Sequence, residues 1–152
     1  NIYADEALWR SRLHPLRSVA TLRLPAVARL HSELRAILAE AVERRGSSID
    51  NYTAPDGDGS MQERLDVYQR TGEPCPRCGR PIRRMVVGAR ATHFCSWCQR
   101  LPAGDRPGAA TILAGARAGV RSTAERARRA GATRRATARA GSSGGPLTGE
   151  GA

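Results

Sequence analysis

At 152 residues, with 25 basic side chains that are all arginine and only 14 acidic ones, the chain carries a formal charge of +11. That balance favours a polyanionic partner, nucleic acid above all. No apolar run reaches membrane length, so no membrane partner is expected. Aromatic residues make up 4% of the chain, and only about the first hundred residues are apolar enough to build a packed core. The chain opens on Asn1 in place of methionine, and is expected to be part of a longer or processed protein.

Residues 2–13 contain no glycine or proline, place Glu6 four residues before Arg10, and end at His14-Pro15, where proline discourages continuation. A short helix is predicted. Pro25 suits a first helical position, and Val27, Leu30, Leu34, Ile37, Leu38, Ala41 and Val42 recur on one face until Gly46 supplies a stop. This predicts a second helix of about 20 residues. Residues 47–60 are rich in turn formers and read as a loop, and residues 61–70 read as a short helix or strand.

Cys75-Pro-Arg-Cys78 and Cys95-Ser-Trp-Cys98 contain the only cysteines. Two such knuckles at this separation predict one structural zinc ion, closed to water because four thiolates fill the tetrahedron. A disulfide framework suits the pattern less, since Cys-x2-Cys pairs close very short loops and no secretory leader is expected. A thioredoxin-like pair lacks its βαβ setting. With four thiolates available, His93 reads as a hairpin-surface residue and not a ligand. Between the knuckles, two β-prone runs joined across Gly88-Ala89-Arg90 predict a hairpin with an arginine at its tip, suited to phosphate. Residues 73–100 hold six arginines and one acidic residue, and a module of about 30 residues depends on its metal for order.

From residue 103 onward the composition shifts to alanine, arginine, glycine, serine and threonine, without an aromatic residue. It reads as a disordered tail, with a partly helical stretch allowed by propensity over 112–130. Two roles fit it: a nonspecific DNA-binding arm, or an extension without function.

The order of parts carries a resemblance. Asn1-Ile-Tyr-Ala-Asp-Glu-Ala-Leu-Trp9, His14-Pro15, the long helix ending at Gly46-Ser-Ser-Ile49, Val67-Tyr-Gln-Arg-Thr-Gly-Glu-Pro-Cys-Pro-Arg-Cys-Gly79 and Arg90-Ala-Thr-His-Phe-Cys-Ser-Trp-Cys-Gln-Arg100 together resemble the C-terminal half of the formamidopyrimidine-DNA glycosylase and endonuclease VIII family over residues 1 to 102. The resemblance implies a mostly α fold with a small zinc-bound β-hairpin. A helix-two-turn-helix domain (1–53) is followed by a lesion-side loop and connector (54–70), a four-cysteine zinc finger (71–102) and the tail (103–152).

It further implies that Asn1, the backbone N–H of Ile2, the Tyr68 phenol and Arg90 hold phosphates of a damaged duplex. The loop containing Ser47, Ile49, Asp50, Asn51 and Tyr52 would cap an everted base through backbone N–H groups. Read from the residues alone, Asn1 is equally a helix cap, Tyr68 a packed aromatic and Arg90 a solvated turn residue. The family's chemistry is implied to need an N-terminal proline amine, an adjacent glutamate and a lysine, none of which lies in this sequence, so no catalytic residue is expected here. The expectation is a monomeric, damaged-DNA-binding part of a bacterial, cytoplasmic, nucleoid-associated base-excision repair glycosylase and abasic-site lyase acting on oxidised purines. The alternative is a stand-alone zinc-ribbon nucleic-acid-binding regulator.

Overall fold

The computed structural model describes residues 1–47 and 59–116. Helix α1 spans Ile2–Arg10 and helix α2 spans Leu24–Glu43, linked by a turn and a 3-10 segment at Val19–Thr21. Arg12 takes a positive φ of 59°, so α1 stops before the residue 13 that its composition allows. Pro25 lies in the first turn of α2, and Gly46, at φ +79°, donates its N–H to Ala41 O at 2.7 Å to close the far end. No helix among the described residues is long and apolar enough to cross a membrane.

Ile37 and Ala41 of α2 pack against Ala7 of α1 and against Met61 and Leu65 of the connector, which opens with a 3-10 turn at Met61–Arg64. The apolar face predicted for α2 is only half used: Ile37 and Ala41 are buried, whereas Val27, Leu34, Leu38 and Val42 are exposed. The ends of the segment between the two described stretches are zipped together. Ser47 bridges Ser60, and Met61 donates to Gly46 O at 3.0 Å. Gly59 is obligatory there, because a Cβ on it would lie 2.2 Å from Gly46 O.

Strands β1 (Arg83–Val87) and β2 (Arg90–Phe94) form an antiparallel hairpin in which Val87 pairs with Arg90. The turn is therefore two residues, Gly88 and Ala89, both at positive φ (54° and 65°), the twist that two-residue hairpins prefer. Arg90 is not the tip but the first paired residue of β2. A second core joins this module to α1: Trp9 packs with Val67, Cys75, Ile82 and Cys95.

The start of the segment expected to be a disordered tail is folded. Ala103–Asp105 forms a 3-10 turn and residues 106–116 are helical. Its anchor is Asp105, buried, bonded to Thr21 Oγ1 at 3.2 Å and facing Arg17 Nε at 3.7 Å, with Ala109 buried one turn later. Two small contacts a turn apart hold a segment that lacks the large side chains a composition-based reading looks for. Residues 117–152 lie outside the described part, as do Ile49, Asp50, Asn51 and Tyr52 of the expected lesion loop.

Candidate nucleic-acid interface and zinc centre

The four cysteine sulfurs lie within 4.8 Å of one another, with Cys75 Sγ 4.0 Å from Cys98 Sγ and Cys78 Sγ 3.5 Å from Cys95 Sγ. A tetrahedral zinc tetrathiolate with zinc–sulfur bonds of about 2.3 Å sets its sulfurs about 3.8 Å apart. The residues therefore fit the ion as they stand. Burial opposes ionisation of Cys75, but N–H groups of Arg77, the Trp9 indole and Cys78 outweigh it and bring the thiol down to about 7. Cys98 behaves oppositely, pushed up to about 12 by burial and by the neighbouring sulfurs Cys78 and Cys95. Four thiolates this close need a dication to coexist, and the Trp9 Nε1 donor, 3.4 Å from Cys75 Sγ, is an outer partner of the kind that orients a metal ligand. Cys75, Cys78, Cys95 and Cys98 are placed to hold one structural zinc ion.

Helix α1 locks this centre to the rest of the fold. Glu6, fully buried, accepts backbone N–H groups from Asp66, Val67 and Tyr68, each at 2.9 Å. Burial raises its pKa against the pull of those donors. Asp5, also buried, accepts the His93 N–H at 2.8 Å and meets His93 Nδ1 at 3.1 Å; burial raises its pKa too, opposed by the His93 contacts. Gln99 donates to Leu13 O at 2.9 Å while accepting the Cys95 N–H at 2.8 Å. Arg77 stacks 4.0 Å over the Trp9 ring and donates to Trp9 O at 3.0 Å.

Two sequence expectations change here. Glu6 does not pair with Arg10, which instead faces Glu40 at 3.5 Å and Asp66 at 3.6 Å, because Glu6 is consumed by the connector's N–H groups. His93 is not on the hairpin surface: α1 covers its face of β2 through Asp5, while Phe94 on the opposite face meets the His14 ring, so Thr92, His93 and Phe94 are buried in succession and the usual alternation fails.

The residues expected to touch DNA gather along the seam between α1 and β2. Asn1 precedes α1 but makes no side-chain cap; its Nδ2 donates to Ala91 O in β2, beside Arg90. An amide nitrogen carries two hydrogens, so one remains to donate outward. Ile2 is the first helical residue, and its N–H has no partner within the helix. Tyr68 sets its ring edge-on to His93 at 5.0 Å and packs against the α1–α2 core, with its phenol oxygen unbonded among the described residues. Arg90 is exposed, and no carboxylate lies within ion-pair distance of Arg80, Arg83, Arg84, Arg90 or Arg100 among the described residues. Ser47 stands apart from this seam, at the neck of the loop. The positive end of α1 and an unpaired guanidinium thus meet on one edge. Asp5, Glu6, Arg77, His93 and Gln99 set this geometry without having been singled out as site residues. Their only sequence signal was position, within α1 or beside a knuckle.

Residues 1–53 match the family model described as the formamidopyrimidine-DNA glycosylase H2TH domain, and residues 72–101 match the zinc finger found in FPG and IleRS. The chain is 50% identical over 105 residues to formamidopyrimidine-DNA glycosylase of Symbiobacterium thermophilum, covering 68% of this chain and 34% of that protein. It is 53% identical over 102 residues to the Thermus thermophilus enzyme, covering 65% and 38%. The crystal structure of the MutM (Fpg) protein from Thermus thermophilus superposes with a TM-score of 0.64 at 51% identity, over 67% of this chain and 40% of that one. The Lactococcus lactis Fpg complex with DNA containing an abasic site gives 0.62 at 43% identity, over 66% and 37%. The chain spans little more than a third of the length of the curated relatives it matches. Residues 1–53 and 72–101 thus carry the H2TH domain and zinc finger found in the C-terminal portion of formamidopyrimidine-DNA glycosylases.

Proposed function

We propose that this chain is the damaged-duplex-binding part of a base-excision repair DNA glycosylase and abasic-site lyase acting on oxidised purines. The observation that carries the reading is the Asn1 side chain bonded to Ala91 O, which draws the start of α1 against the strand that Arg90 opens. An amide, free N–H groups at a helix start and a guanidinium are all phosphate donors, and together they suit a bent backbone beside a flipped nucleotide. The solved relatives include Lactococcus lactis Fpg bound to Fapy-dG-containing DNA and to abasic-site DNA. That pairing of H2TH domain and finger supports this reading over a stand-alone zinc-ribbon regulator.

In this role zinc supplies order and no reaction step. The cysteines fix the hairpin, α1 fixes the hairpin's angle to the helices, and Arg90 and Asn1 hold phosphates with Tyr68 and Ile2 alongside. The chain binds as a monomer in the bacterial cytoplasm, at the nucleoid. It does not cut, because the proline, glutamate and lysine assigned to the chemistry are not among its residues.

Arg90→Gln should weaken binding to an abasic-site duplex about tenfold or more at fixed salt, the value of a charge-assisted phosphate contact. Borohydride treatment with the same duplex should trap no covalent adduct. Unchanged affinity in the variant, or an adduct, would overturn the reading.

A further inference from the structure

The end of the finger away from the hairpin turn carries a second set of unneutralised cations. Trp97, in the second knuckle, is 48% exposed, with the Arg80 guanidinium carbon 3.5 Å and that of Arg100 4.0 Å from its ring centroid. Two guanidinium groups approach one centroid that closely only from opposite faces, so the indole is sandwiched. Stacking fixes the plane of each guanidinium while leaving its N–H edges directed outward. None of those edges meets a carboxylate among the described residues.

Arg100 also lines an open cleft with His14, Ser96, Leu101 and Arg106. No acidic side chain lines it. Arg106 comes from the helical start of the segment that composition alone assigned to a tail. His14 accepts the Leu16 N–H at Nδ1, and burial lowers its pKa, so the neutral ring carries its proton on Nε2. Two arginines held rigid on an indole and a third arginine across a cleft, with a hydroxyl and an imidazole beside them, make a cationic surface without a carboxylate.

We propose that Arg80, Trp97, Arg100 and Arg106 form a second phosphate-binding face, taking backbone phosphates of duplex DNA outside those held at Asn1 and Arg90. The five residue steps from Arg90 to Cys95, at about 3.4 Å each, carry the chain about 17 Å along β2 to the knuckle that bears Trp97, so one phosphate cannot serve both faces. The inference rests on the DNA-binding reading above and extends its footprint. Contacts of this kind add affinity without lesion preference, since guanidinium–phosphate bonds carry no base information.

The test uses the full zinc-loaded chain and labelled duplexes, intact or with a central abasic-site analogue, with binding measured across a salt series. An Arg80→Gln/Arg100→Gln double variant should weaken both duplexes by the same factor, roughly tenfold, and flatten the slope of log Kobs against log salt by about 1.8, or about 0.9 for each phosphate lost. The Arg106→Gln variant lies outside the stack and should flatten it by about 0.9 with zinc content and thermal unfolding unchanged. Unchanged affinity and slope in both variants, while Arg90→Gln still weakens binding, would overturn this face and leave the functional reading intact. Failure of the parent chain to bind either duplex would remove both. Loss of binding to a polyglutamate peptide with no change on DNA would assign the face to an acidic protein, and would also overturn it.

Discussion

Helix α1 buries Asp5 and Glu6 at 2% and 0% exposure, whereas α2, more than twice as long, leaves Leu24 and Val42 at 84% and 79%. Each placement runs against what side-chain polarity alone dictates. In α1 the two carboxylates are spent on backbone N–H groups 60 to 88 residues away. Burial of a charge is tolerable only with that degree of hydrogen bonding. In α2 one stripe meets α1 and the connector, and the adjoining stripe of Val27, Leu34, Leu38 and Val42 is left exposed. Polarity therefore says what a side chain costs to bury, while the partner decides whether it is buried.

The largest expected effect breaks the comparison from the metal side. Chelating zinc removes about 10 kcal/mol or more from the finger, and should erase amide-exchange protection across β1, β2 and the Glu6-bound N–H groups of residues 66–68. Protection at 66–68 that survives would mean α1 holds the connector without the finger. Next in size, Glu6→Ala strands three backbone donors and should cost about 3 to 5 kcal/mol in chemical unfolding. Glu6→Gln keeps an acceptor oxygen and should cost clearly less; equal losses would show that the packing of the side chain, and not its oxygens, matters.

The α2 side is sharpened by a neighbouring pair. Ile37→Ala should cost about 3 kcal/mol, as for a filled core position, and Leu38→Ala less than about 1 kcal/mol, as for a surface one. Similar costs would show that the outward stripe is covered after all. Smaller again is the effect of pH through Glu40. Burial alone would raise its pKa, but Arg64, Arg10 and Arg44 outweigh burial and lower it below 4.5. A depressed carboxylate stabilises the fold above its unfolded value and loses that contribution as pH falls through the folded one. Glu40→Gln should therefore cost a few tenths of a kcal/mol near pH 7, with the difference from the parent shrinking below about pH 4.5. Taking the difference cancels the loss of zinc common to both proteins.

These effects also show what the sequence could tell. The zinc ligands were legible because Cys-x2-Cys spacing is itself the geometry, and α2 because a 3.6-residue period over twenty positions is a strong local signal. The inward roles of Asp5, Glu6 and His93 were not. Carboxylates early in a helix read as solvated and complementary to its dipole, and the groups that claim them are distant in the chain. His93 was hidden for the same reason, since strand alternation says nothing about a helix arriving from elsewhere. The folded start at Asp105 was missed because one buried ion pair has no compositional signature. Asn1, Tyr68 and Arg90 were named through resemblance, and the α1–β2 seam supplies a physical reason for them to act together.

The most direct test of the account is the affinity of the zinc-loaded chain for an abasic-site duplex relative to an intact duplex at the same salt, repeated after chelation. A preference for the abasic site that disappears with the metal is expected, because Asn1 and Arg90 share one edge only while the hairpin is docked on α1. Equal affinities for the two duplexes with zinc bound would contradict it.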